Sequence, residues 1–354
     1  MNRRFFIQAA LSGLAGAYLA ACKQLESRSD TQQPQMLFMS VQGAKPVSEM
    51  GLTLTHEHLF ADLRSYSEQM TSPLALNFGD VVATILPHLM EIQKLGVKTF
   101  IDCTAVGMGR NPPLLKALSK ASGMNIVTTT GAYLSAELKF KPDYFDALTA
   151  AALAEKWINE WRNGIDDTGI KPGMIKIAVS GGPLTGDEKK LVNAATLAHK
   201  GSGMVIGCHV GPWSEVKPGF NGTSALEQVE LLSAANVSPQ RWIWIHAQNE
   251  ADYQYHQKAL LKGAWISYDG YRPDQTQRYL ELITRIKAAG YLNRLLVSQD
   301  TGWYTAAEPK GGTFNSFAPV ITDLIPALTK AGFTADDVAQ IFVRNPAEAF
   351  QLNI

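Results

Sequence analysis

The chain is poor in the residues that most often make chemistry legible. It has three cysteines and seven histidines among 354 residues, and its 32 Lys and Arg balance its 32 Asp and Glu. Three cysteines cannot build the disulfide framework of a small secreted scaffold. A net charge of zero gives no field to attract a nucleic acid or another polyanion. No G-x-G-x-x-G fingerprint follows the first β-rich run, no repeat of short period is present, and the apolar run at the N terminus is too short for a stable transmembrane helix. What is there is 46% hydrophobic residues against 18% charged, enough to bury a substantial core in one large domain or two small ones.

Residues 1–21 have the form of an export signal: a basic start followed by an apolar stretch. Arg3-Arg4 followed by Phe6-Ile7 resembles a twin-arginine signal, and Leu19-Ala20-Ala21-Cys22 resembles a lipoprotein cleavage box, so Cys22 is expected to be lipidated. The alternative is an ordinary cleaved signal. Residues 22–36 are polar and Pro-containing, as in a flexible tether. The expectation is an exported, periplasmic lipoprotein held to a membrane only by its anchor, with the folded domain at residues 37–354.

Eight short apolar runs alternate with helical patterns: Leu52–His56, Val97–Thr104, Asn125–Thr130, Met174–Val179, Met204–His209, Arg241–His246, Trp265–Asp269 and Arg294–Asp300. Strict alternation implies a parallel sheet. Eight units in about 250 residues match a closed α/β TIM barrel, (β/α)8, in preference to a doubly wound open sheet. A short hairpin is expected at Leu37–Val47 and closing helices at Phe314–Leu352.

The first run ends in Thr55-His56-Glu57-His58. Alternation along a strand puts His56 and His58 on one face and Glu57 on the other. The fourth run, M-I-K-I-A-V, gives Ile175, Ile177 and Val179 to the outer helices and turns Lys176 into the barrel. An ammonium there must be neutralised, paired or chemically altered, or else snorkel to the mouth. His209, His246 and Asp300 close three further runs. Each alone reads as a packing histidine or a helix cap; ligands from five strands at one rim read as an active site. His88, His199 and His256 fall on helices and are expected to be surface or structural. Cys103 and Cys208 lie inside strands and are expected to be buried free thiols.

The motifs G-L-T-L-T-H-E-H-L at Gly51, D-C-T-A-V-G-M-G-R at Asp102, T-G-A-Y at Thr130, M-I-K-I-A at Met174, C-H-V at Cys208, I-H at His246 and L-V-S-Q-D at Leu296 together resemble the phosphotriesterase family of the amidohydrolase superfamily. The resemblance runs from about residue 37 to the closing N-P-A-E-A-F. It implies two divalent metal ions, Zn2+ by preference with Mn2+, Co2+ or Fe2+ as alternatives. It places His56, His58 and Asp300 on one metal, His209 and His246 on the other, and Lys176, carbamylated by CO2, between them with a hydroxide. Two family features are missing. Asn249 stands where phosphotriesterases have an aspartate, and Gly270 where they have a histidine or the related lactonases an arginine, so neither the usual proton relay from Asp300 nor a substrate assignment from either branch carries over with the resemblance.

The implied activity is attack of the bridging hydroxide on an ester carbonyl, with a lactone or carboxylic ester preferred and a phosphotriester as the alternative. Asp300 takes the proton, Tyr133 reaches the substrate oxygen, and Tyr271, Arg272, Trp303 and Tyr304 are expected to bind substrate. A catalytically inactive lipid-anchored binding barrel and a mononuclear deaminase are the competing classes. Relatives of this kind are often homodimers.

Overall fold

In a computed structural model the protein is described at residues 36–212 and 217–352. The expected signal, the Cys22 anchor and the tether lie outside those residues. A two-stranded antiparallel hairpin, β1 (Leu37–Ser40) and β2 (Gly43–Pro46), comes first, as expected. The parallel strands follow: β3 (Leu52–Ala61), β4 (Val97–Asp102), β5 (Asn125–Val127), β6 (Thr129–Tyr133), β7 (Met174–Val179), β8 (Val205–Val210), β9 (Trp242–Ile245), β10 (Trp265–Tyr268), β11 (Leu295–Val297) and β12 (Gly302–Thr305).

The ladder runs in two stretches, β11-β10-β9-β8-β7-β6 and β12-β3-β4-β5. They meet at both ends. β5 and β6 are one strand interrupted only at Thr128, and beyond β11 the Asp300 amide donates to His56 O at 3.0 Å while the His58 amide donates to Thr301 O at 3.0 Å. The architecture is a TIM barrel.

Helices fill the intervals because the local signals are consistent. Asn77 accepts from the amides of Gly79 and Asp80 to start Phe78–Lys94, and Thr185 with Glu188 forms a capping box for Gly186–Ser202, which ends at Gly203 in the left-handed region. Three elements differ from the sequence reading. β3 runs on past His56 to Ala61, because Leu59 and Phe60 are buried as fully as the residues before them. The helical pattern between β6 and β7 breaks at Leu148, whose extended ψ of 142° ends one helix before Thr149 caps the next. The segment after Asp300 is a short strand, β12, paired with β3, where a loop was expected.

Inside the barrel, Met174, Ile245, Ile101 and Val127 pack together, and Phe38 from the hairpin and Phe350 from the last helix seal them from below. Gly207 on β8 makes room for this floor: a Cβ there would lie 1.8 Å from Met174 Cε. The floor leaves the opposite end, where the strands finish, as the place for polar side chains.

Candidate metal centre

At the C-terminal ends of the strands the apolar filling stops and ionisable groups converge. His56 and His58 on β3, Lys176 on β7, His209 on β8, His246 just after β9 and Asp300 beyond β11 are each no more than 3% exposed. With Cys103, Met108, Tyr133 and Trp303 they line one small cavity of about 10 Å³. Asp300 sits at its centre, with His58 Nε2 3.0 Å from Oδ1, His56 Nε2 3.7 Å from Oδ1 and His246 Nε2 3.7 Å from Oδ2. Lys176 Nζ lies 3.4 Å from His56 Nε2.

Each imidazole is fixed from behind. His56 Nδ1 donates to Asp269 Oδ2 at 3.1 Å and His246 Nδ1 to Asp269 Oδ1 at 2.7 Å. His58 Nδ1 meets Thr104 Oγ1 at 2.8 Å, and His209 Nε2 donates to Gly211 O at 2.6 Å. A carbonyl or carboxylate can only accept, so it selects the tautomer and sets the lone pair on the opposite ring nitrogen, as in metal sites.

The electrostatics agree with that assignment. Burial lowers the His56 imidazole to about 4, with the Lys176 ammonium acting in the same direction, and burial together with His246 and Lys176 takes His209 well below its usual range. Both rings are neutral near pH 7. Burial alone would raise the carboxyls of Asp269 and Asp300, but the surrounding imidazoles hold both below the ordinary carboxylate range, so both are anions. Neither oxygen of Asp300 receives a well-formed hydrogen bond among the described residues. Lys176, buried, has no carboxylate within ion-pair distance among them. An anion with no well-formed hydrogen bond beside an amine with no carboxylate partner among the described residues is a costly arrangement unless something else occupies the cavity.

Cations fit that donor set. The ligand atoms of His56, His58 and Asp300 lie within 4.8 Å of one another. His56, His246 and Asp269 satisfy the same distance, but their contacts are the 2.7 and 3.1 Å hydrogen bonds already described, which leave no space for an ion.

The other expected residues divide. Tyr133 lines the cavity with its hydroxyl 3.2 Å from the ring nitrogens of His209. Trp303 lines it too, stacked on His58 with ring centroids 3.8 Å apart. Tyr271 does not: it is fully buried against Tyr279 and bonded to Thr276. Tyr304 alternates away from Trp303 on β12 and stacks on Phe60. Arg272 turns to the backbone, donating to the carbonyls of Tyr271, Gln299 and Asp300. Tyr271, Arg272 and Tyr304 thus have packing and backbone partners, and none of the three lines the cavity.

His88 is half-buried on Phe314, while His199 and His256 are buried, bonded to Met204 O and Ala247 O, so of the two readings the structural one holds for them. Cys103 and Cys208 are buried free thiols, as expected. Glu57 faces away from the two histidines, also as expected, and accepts hydrogen bonds from Ser298 Oγ and the amides of Gln299 and Thr301.

The sequence reading did not anticipate the role of Asp269, although an aspartate ending the apolar run W-I-S-Y carries the same signal that drew attention to Asp300. Gln248 carried no signal. It donates to Asp269 Oδ1 at 3.3 Å and accepts from the Asp269 amide, and a Cβ on Gly270 would lie 2.7 Å from its Nε2. Gln248 thus fills space that a side chain at position 270 would need. Asn249 donates its amide to His246 O.

A TIM barrel with this donor set at its C-terminal rim is the framework of a metal-dependent hydrolase. The chain belongs to the phosphotriesterase family, whose model matches residues 36–350. That family comprises binuclear metal hydrolases. A phosphotriesterase homology protein of Escherichia coli (strain K12) is 30% identical over 307 residues, covering 85% of this chain and 98% of that one. An aryldialkylphosphatase of Saccharolobus solfataricus is 29% identical over 314 residues, covering 85% and 95%. A solved structure from work engineering organophosphate hydrolysis from a weak promiscuous lactonase template superposes with a TM-score of 0.77 at 26% identity, covering 89% of this chain and all of that one. A lactonase from Listeria monocytogenes shares the fold at 24% identity and a TM-score of 0.76, covering 90% of this chain and all of that one.

Proposed function

We propose that the protein hydrolyses a lactone or other carboxylic ester at a two-metal centre, with phosphotriesters as slower substrates. The observation that carries this is Asp300, an enclosed anion whose oxygens lack well-formed hydrogen bonds among the described residues, ringed by imidazoles whose other nitrogens are already engaged. His56, His58 and Asp300 would hold one metal and His209 and His246 the other. Lys176 would lie between them after its amine adds CO2 and loses a proton, which turns the amine into an anionic oxygen donor. Two divalent cations there would supply an activated water, with a pKa near 7, and polarise the substrate oxygen.

The chain's own groups do the rest. Asp300, held ionised, takes the proton at a carboxylate oxygen. Asp269 keeps its neighbouring histidines in the ligating tautomer. Tyr133 donates toward the substrate oxygen on the His209 side. About 10 Å³ is far less than the roughly 300–1,000 Å³ of small-molecule sites, so the acyl or leaving portion extends outward past the apolar face of Trp303.

Support for ester over phosphotriester comes from the lactonase template named for the neighbour at 26% identity and from that apolar wall. The test is a hydrolysis screen of metal-reconstituted protein across lactones, aryl esters, phosphotriesters and acyl amides. Chelator-sensitive turnover of esters with two metals per chain is expected. Faster amide than ester turnover would overturn the substrate class, one metal per chain would favour a mononuclear deaminase, and no retained metal would favour a binding barrel. We also propose export to the periplasm with a lipid on Cys22; Cys22→Ala should move the protein to the soluble fraction, and unchanged membrane association would discard the anchor.

A further inference from the structure

Asp300 has φ of +49°, in the left-handed region, which a non-glycine residue keeps only when its surroundings impose it. Two side chains hydrogen-bond to the backbone on either side of it. Glu57 Oε1 accepts from Ser298 Oγ at 2.7 Å and the Gln299 amide at 3.1 Å, and Oε2 accepts from the Thr301 amide at 2.9 Å. Arg272 donates to the carbonyl of Gln299 and, at 3.2 Å, to that of Asp300 itself. The amides on either side of Asp300 are therefore taken by the Glu57 carboxyl group, and the carbonyls of Gln299 and Asp300 by the Arg272 guanidinium.

An aspartate at a turn ordinarily folds its carboxylate back onto nearby backbone N–H groups. Here the flanking amides belong to Glu57, and the Asp300 amide itself donates to His56 O at 3.0 Å. Both Oδ atoms of Asp300 are left to the cavity.

We propose that Glu57 and Arg272 are paired positioning residues that hold Asp300 in its left-handed conformation and so present its carboxylate to the metal centre. The proposal rests on reading Asp300 as a metal ligand. Neither side chain lines the cavity, so neither is offered as a ligand or a substrate contact.

The test uses Glu57→Gln, Arg272→Met and Ser298→Ala in the full chain, with folding followed by circular dichroism. In metal-free protein, amide exchange across residues 298–301 should rise at least tenfold in the first two variants and less in the third. In metal-loaded protein, competition with a chelator should show Co2+ held about 10–100-fold more weakly. The Co2+ absorption spectrum should shift, and kcat should fall with KM little changed.

Wild-type exchange and Co2+ affinity in Arg272→Met would overturn the proposal even if Glu57→Gln failed to fold. A wild-type protein that retains no Co2+ would overturn the functional reading, whereas the exchange measurement on metal-free protein would still decide whether the clamp exists.

Discussion

Lys176 is the residue whose burial says most. Ile175 and Ile177 beside it are fully buried against the outer layer, so the backbone register leaves it no face but the inner one. Lys176→Ala should abolish retention of the second metal and lower turnover at least a hundredfold, with partial recovery when a short carboxylate is added. Metal stoichiometry and kinetics check this, and full turnover without additive would be incompatible with a carbamate. Asp300→Asn keeps the shape and loses the proton acceptor, so kcat should fall by about 10²–10⁴ while the thermal midpoint moves little. A large drop in the midpoint with kcat preserved would assign Asp300 a structural role instead.

Among the elements, the helix Ala150–Asn163 is tied to β6 by a buried ion pair. Arg110 donates to both oxygens of Glu160, at 2.7 and 3.1 Å, and Thr130 Oγ1 donates to the same carboxylate at 2.6 Å. Removing one partner strands the other charge, so Glu160→Gln should cost about 3–5 kcal/mol in urea unfolding at pH 7. Burial alone would raise the Glu160 carboxyl, but Arg110 and Thr130 hold it below its ordinary 4.5. Its folded value is thus lower than its unfolded one, so the stabilisation is complete above about 4.5 and is lost as pH falls through the folded value. The variant should show a shallower loss of stability with acid than the wild type; equal acid slopes would remove the pair from this account. Tyr271, Arg272 and Tyr304 belong to the same scale. Their residue types suggested a binding surface, but a buried tyrosine, a bracing arginine and an alternating strand were settled by neighbours distant in sequence.

For the whole molecule, the barrel works as a container with a sealed floor and a reactive mouth. Phe38, from a hairpin outside the eight strands, is fully buried in that floor. Phe38→Ala should cost about 3–5 kcal/mol, because truncating a packed aromatic leaves a cavity. Calorimetry should show the loss as a lower midpoint with metal stoichiometry unchanged. A loss of metal at a temperature where the variant stays folded would mean that floor and mouth are coupled.

The sequence by itself determined the alternation of strand and helix, the inward register of Lys176 and of His56 and His58, and the strand ends that carry His209, His246 and Asp300. Those follow from periods of 2 and 3.6, which are properties of short stretches of chain. Only the tertiary structure decided that Asp269 serves both His56 and His246, that Gln248 occupies the space beside Gly270, and that Glu57 and Arg272 grip the turn around Asp300. Each of those depends on hydrogen bonds between residues some twenty to more than two hundred positions apart, and such distances exist only once the strands have been placed around a common axis.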